Sequence, residues 1–131
     1  MCWVNNTATP IVLKKPLRVY KVGTLTILDG FKSLYHNFVY RKFKVGPTVK
    51  INPEFVSYSV FSPLDKCWTR STFCINEGYH SYLTEKIAKH HRSPDEEIGV
   101  FEIPSGATIY VNYRYGKVVS TDIEYLGLLK L

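Results

Sequence analysis

The chain has 131 residues, a formal net charge of +6, and 45% hydrophobic and 15% aromatic residues. That length suits one small domain with its own hydrophobic core, and the apolar fraction is too high for a solvated, disordered tail. No apolar run reaches the length of a membrane-spanning helix, and the glycines are isolated rather than grouped into a phosphate-cradling loop.

Met1-Cys2-Trp3-Val4-Asn5-Asn6 lacks the basic-then-apolar order of a secretory leader, which points to a cytoplasmic chain. The three cysteines, Cys2, Cys67 and Cys74, are odd in number and irregularly spaced, so reduced thiols are expected. A Cys67–Cys74 bridge stays open if two neighbouring strands bring the pair together. Residues 1–16 read as an N-terminal arm, because Asn5-Asn6-Thr7 is polar and Pro10 interrupts any regular element; residues 17–131 read as a single domain.

Residues 17–22 alternate apolar with polar or amphipathic side chains, the period of a half-buried strand. Residues 25–28 extend that strand or open another, and Asp29-Gly30 is a turn signal. Gly46-Pro47 breaks the aromatic and basic stretch 31–51, after which residues 48–51 read as a strand. Pro53 and Pro63 bracket an aromatic stretch at 55–61 that fits either strand or loop. Residues 79–83 form a short strand pattern. Thr84 is a good helix N-cap, since its hydroxyl can accept a free amide of the first turn; Glu85 suits the positive end, and Lys89, His90, His91 and Arg92 suit the last turn before Pro94. Strands are expected at 100–103, 108–112 and 118–121, with turns at Pro104-Ser105-Gly106 and Arg114-Tyr115-Gly116, and a last apolar run at 123–131. The predicted fold class is α+β: a single small domain, mostly antiparallel sheet, with one short helix.

Charge is unevenly distributed. Residues 1–50 hold nine Lys or Arg and a single acid, Asp29, whereas residues 51–131 hold eight basic and ten acidic residues. Such asymmetry suits an anionic partner on the basic side, and equally a solubilising surface. Within 31–51, Phe31, Tyr35, Phe38, Tyr40 and Phe43 interleave with Lys32, Arg41, Lys42 and Lys44. Aromatic faces can stack on bases while cations meet phosphate, so single-stranded nucleic acid is one candidate partner; tyrosines alternating along strands also build an ordinary core.

The candidate ligand-binding residues are Arg18, Lys21, Lys44, Tyr79, His80, Tyr82 and Tyr115. Arg18, Lys21 and Lys44 would meet phosphate, and the aromatic residues would stack or hydrogen-bond. Arg18 and Lys21 are three apart and face opposite sides of a flat strand, and the planar fork of Arg18 suits phosphate better. His80 and Tyr82 share a face, opposite Tyr79. Each of these also fits a packed, structural role. His90 and His91 point about a hundred degrees apart on a helix and do not share a metal, so neither a metal nor a cofactor is expected, and no catalytic residue is assigned.

Several stretches resemble small uncharacterised proteins of gut Bacteroides and their phages: the opening Met1-Cys2-Trp3, Arg18-Val19-Tyr20-Lys21-Val22, Asn76-Glu77-Gly78-Tyr79-His80-Ser81-Tyr82, and Ile103-Pro104-Ser105-Gly106 followed by Tyr110-Val111-Asn112. That resemblance implies a recurring small cytoplasmic domain. A more generic likeness is to the ADP-ribosyltransferase fold, where Arg18, Tyr79 or Tyr82, and Glu124 fall in the order of its functional strands. Three readings follow. The first is non-catalytic binding of a small anionic nucleotide-like ligand, sequestering a bacterial defence signal on behalf of a phage. The second is a module that docks on a host or phage protein through exposed aromatics. The third is an ADP-ribosyl-transferring enzyme.

Overall fold

The computed structural model describes residues 3–5, 9–26, 30–33, 39–61, 67–75 and 77–131, of which 3–5, 54–61 and 67–74 are described by backbone pairing alone. In chain order the elements are β1 (Trp3–Asn5), β2 (Ile11–Val12), β3 (Leu17–Leu25), β4 (Phe31–Ser33), β5 (Val39–Tyr40), β6 (Glu54–Phe61), β7 (Cys67–Ile75), β8 (Tyr79–Tyr82), α1 (Glu85–His91), β9 (Glu97–Ile103), β10 (Thr108–Asn112), β11 (Lys117–Ser120) and β12 (Glu124–Leu128). The described residues are thus mostly antiparallel sheet with one short helix.

The alternating stretch at 17–22 lies at the centre of the larger sheet. One edge of β3 pairs with β9 from Leu17↔Ile103 to Gly23↔Glu97. Its other edge is shared: it meets β8 at Tyr20↔Tyr82 and β4 at Gly23↔Ser33 to Leu25↔Phe31. Beyond β8 the order continues through β11 and β10 to β2, and β12 lies outside β9. β4 pairs with β5, and the chain after β5 bridges to β12 at Lys42↔Tyr125 and Val45↔Glu124. The strands β12, β9, β3, β4 and β5 with the 42–45 segment therefore close into a ring. Closure leaves fewer unpaired strand edges than an open sheet would.

The ring is filled by aromatic side chains. Phe31, Tyr40, Phe101 and Tyr125 are buried, and their contacting rings have centroids between 4.9 and 5.5 Å apart. Val19, Ile103, Ile109, Val118 and Ile123 extend this core. Gly23 and Gly99 leave space for the Phe31 ring, since a Cβ at either would lie within about van der Waals contact or closer. On the outer face, Val22, Ile98 and Ala88 of α1 form a second cluster with Tyr20 and Tyr82, and Ile75, Tyr110 and Val119 form a third.

The helix follows its sequence signals. Ile87 N–H donates to Thr84 Oγ1 at 3.2 Å, and Lys89 sits 3.8 Å from Glu85 one turn earlier. Thr84→Ala is expected to cost about 1 kcal/mol, the usual worth of such a cap. Urea denaturation checks it; an unchanged midpoint would show that α1 is held by packing alone.

Several expectations are corrected. Residues 48–51 form no strand; the backbone tie described there is a single bond, Val49 N–H to Thr121 O at 2.9 Å. The ambiguous stretch 55–61 is strand, within β6. The 100–131 elements are strands as expected; β10 pairs with its successor β11, whereas β9 pairs with β12 and β3 rather than with β10. Cys67 and Cys74 lie on the same strand, so their Cα atoms are about 23 Å apart, beyond disulfide reach. Of the stretch 25–28, Leu25 extends β3, and residues 27–28, with Asp29 of the expected turn, lie outside the described residues. β1 and β2 come from the expected arm and pair with β7 and β10.

Candidate functional site

The register separates the residues singled out from sequence. Tyr20↔Tyr82 is a direct pair, so Arg18, Tyr20 and Val22 share the outer face with His80 and Tyr82, while Lys21 and Tyr79 point into the ring. Arg18 is exposed and Lys44 is exposed on the 41–46 loop beside β12. Tyr115 is exposed at the tip of the β10–β11 hairpin. Sequence alone places all seven in one set; the fold divides them among the outer face, the interior, one loop and one hairpin tip.

On the outer face, α1 brings His91 onto Tyr82. The two rings are stacked, with centroids 4.9 Å apart and planes within 7°. Lys117 stands directly opposite Tyr82 on β11. Burial pulls the Lys117 amine below the usual lysine range. Burial, then the neighbouring His90 and Lys117, lowers the His91 imidazole, so it is largely neutral at pH 7. Burial, then Glu96, holds the Tyr82 phenol above its usual value. His80 is half-buried, its Nε2 3.2 Å from Glu77 O. The result is a flat, uncharged stacking surface flanked by an amine. His91 and Lys117 are missing from the sequence-level set, because their meeting depends on how α1 docks.

Arg18 has a different setting. Glu102 stands directly opposite it on β9, and Glu124 stands opposite Glu102 on β12. A phosphate beside Arg18 therefore meets a carboxylate one strand away. Glu124 and Arg18, ordered as in the ADP-ribosyltransferase likeness, are separated by that same Glu102.

The interior pair is unusual for a core. Lys21 is 3% exposed, and its Nζ lies 5.3 Å from the Tyr40 ring centroid and 5.7 Å from that of Phe101. It donates to the His80 carbonyl, and burial lowers its pKa to about 7. Tyr79 donates to Pro47 O at 2.6 Å; burial, then Asp122, raises its phenol. Tyr40 is raised further, by burial and then by Tyr79. Lys21 is closed off from solvent, so its expected contact with phosphate does not fit this placement.

Among the described residues no cluster of three or more His, Cys, Asp or Glu is placed to hold a metal ion, and no helix is long and apolar enough to cross a membrane. No protein-family model, curated protein or solved structure matches the chain.

Proposed function

We propose that this α+β domain binds, without catalysis, a small anionic nucleotide-like ligand on the outer face where α1 meets β8 and β11. The observation that carries this reading is the parallel Tyr82–His91 stack with Lys117 beside it. A base can extend the stack, as aromatic faces accept any nucleobase. The Lys117 ammonium, directly opposite Tyr82 on β11, can meet phosphate. In this reading the phosphate-holding role passes from Arg18, which faces Glu102, to Lys117. The ligand is captured rather than turned over. Capture without turnover would sequester a nucleotide used as a defence signal, on behalf of a phage.

A thermal-shift series with mono-, di- and cyclic nucleotides tests this. A true ligand at a hundredfold over its Kd stabilises the fold by about 2.7 kcal/mol. Tyr82→Ala and Lys117→Ala are each expected to weaken binding about tenfold or more, and Arg18→Ala much less. Stabilisation by no nucleotide, or by one whose affinity ignores both substitutions, would sink the reading.

The hairpin tip favours docking on a protein as a second reading. Tyr113 and Tyr115 are exposed, and Arg114 lies 5.4 Å from the Tyr115 ring centroid, a grouping common at binding hot spots. Loss of a captured partner in Tyr113→Ser/Tyr115→Ser, with nucleotide stabilisation intact, would separate the two.

A further inference from the structure

The 41–46 loop presents a feature that the fold does not use. Phe43 is 67% exposed, and its φ of 61° lies in the left-handed region. For a bulky side chain that conformation is an outlier, and it is one glycine adopts freely; Gly78, Gly106 and Gly116 do so elsewhere in the chain. An exposed phenylalanine gains little from burial, so Phe43 serves neither packing nor backbone geometry.

The loop is nonetheless firmly pinned. Phe43 N–H donates to Tyr125 O at 2.7 Å, Lys44 N–H to Arg41 O at 3.2 Å, and Gly46 N–H to Ile123 O at 2.9 Å. At Gly46 a Cβ would lie 2.6 Å from the Tyr79 hydroxyl, which fixes the loop's end against the core. Beside Phe43 in the chain, Arg41, Lys42 and Lys44 are all exposed, and Lys42 Nζ is 5.3 Å from the Phe43 ring centroid. The nearby carboxylates are Glu124, opposite Val45, and Asp122, whose oxygens accept from the Thr48 and Thr121 hydroxyls.

We propose that this loop binds a single-stranded nucleic acid, with a base stacked on Phe43 and successive phosphates held by Arg41, Lys42 and Lys44. Three cations in four residues suit a polyanion, and a ring held in place before binding loses little freedom on stacking. The same composition can suit an anionic membrane surface. The Lys42 ammonium over the ring favours the single strand: burying Phe43 in acyl chains would draw that charge toward hydrocarbon, whereas stacking leaves it at the level of the phosphates. This site is distinct from the α1 face: the loop bridges to β12 at Glu124 and Tyr125, whereas α1 packs with Val22, Ile98 and Leu129.

The test is fluorescence anisotropy with labelled twelve-residue oligo-dT and oligo-U, beside vesicles of phosphatidylcholine with and without phosphatidylserine. The expected result is oligonucleotide binding whose log Kd follows log salt with a slope of about 2, for three phosphate contacts on a single strand. Phe43→Gly should weaken binding about tenfold or more while melting no lower than the wild type. Lys42→Ala/Lys44→Ala should reduce the slope by about 1.4, and Lys14→Ala/Lys15→Ala, an equal loss of charge elsewhere, should not. Tyr82→Ala should leave oligonucleotide binding intact. The proposal is overturned if no oligonucleotide binds, if Phe43→Gly binds as the wild type does, if only vesicles bind, or if Tyr82→Ala abolishes binding.

Discussion

Lys21→Met is expected to stabilise the protein at neutral pH by about 2–4 kcal/mol, which raises the melting temperature by roughly 10 °C. The cause is the burial of an amine that would otherwise be charged. In the fold its pKa falls to about 7; in the unfolded chain it returns to about 10.4. Between these values the unfolded chain holds a proton that the folded one has released. Stability therefore rises with pH across that window, by up to about 1.4 kcal/mol per unit, and the contribution is lost as pH falls toward 7. Lys117 acts with the same sign, more weakly because it is nearer solvent. Above about pH 10 the direction reverses, since Tyr40, Tyr79 and Tyr82 stay neutral in the fold where the unfolded chain ionises.

Methionine matches the lysine stem in length and removes the amine. It also leaves the His80 carbonyl without the Lys21 donor, at a cost of about 1–3 kcal/mol that keeps the gain below the full desolvation penalty. The groups around the amine, Tyr40 from β5, Phe101 from β9 and the His80 carbonyl of β8, supply no carboxylate to hold its charge. Urea denaturation of both proteins at pH 6, 8 and 9.5 is the measurement. Parallel curves of stability against pH would show that Lys21 is not the group responsible.

The position of Lys21 illustrates what a strand pattern can and cannot convey. Alternation over 17–22 correctly separates Arg18 from Lys21, because side chains on a strand alternate between faces. It does not tell which face is the core. Val19 points into the ring and Val22 packs under α1, so both faces of β3 are covered and both carry apolar residues. The helix is legible because its signals are local: a capping hydroxyl at Thr84, an acid in the first turn and Pro94 beyond the last. The β10–β11 hairpin is legible for the same reason, with Gly116 at a φ of 63° in its turn.

What escapes the sequence is tertiary. Ring closure at Lys42↔Tyr125 joins segments more than eighty residues apart, and no local pattern announces it. The Glu102 neighbour that makes Arg18 a poor phosphate ligand is set by cross-strand register, and the Tyr82–His91 stack by the docking of α1. Of the basic-aromatic stretch, Tyr35 and Phe38 lie outside the described residues; among the others the fold separates Phe31 and Tyr40, which are core, from Phe43, which is surface. Composition alone gives all three the same weight.

The same ring makes Gly23 the most sensitive small residue of the closure. Gly23→Ala is expected to destabilise the protein by about 3 kcal/mol, at the upper end of what overpacking usually costs. A Cβ there would lie 2.1 Å from the Lys32 carbonyl oxygen, and 2.8 and 2.9 Å from atoms of the Phe31 ring. The oxygen belongs to β4 backbone, so relief requires β4 to move away from β3, breaking the pairing at Gly23↔Ser33 and Thr24↔Lys32. Gly99→Ala differs in kind. The atoms nearest its Cβ would be side-chain ones, Phe101 at 2.7 Å and Phe31 at 3.1 Å, and rings can tilt where a strand cannot. About 1–2 kcal/mol is expected for it. Adding Phe31→Leu should recover part of the loss in Gly99→Ala and little of that in Gly23→Ala, because shrinking the ring leaves the carbonyl in place. Double-mutant cycles by urea denaturation read both couplings. Equal rescue in the two backgrounds would mean that the Phe31 ring, rather than the approach of β4 to β3, is what these glycines accommodate.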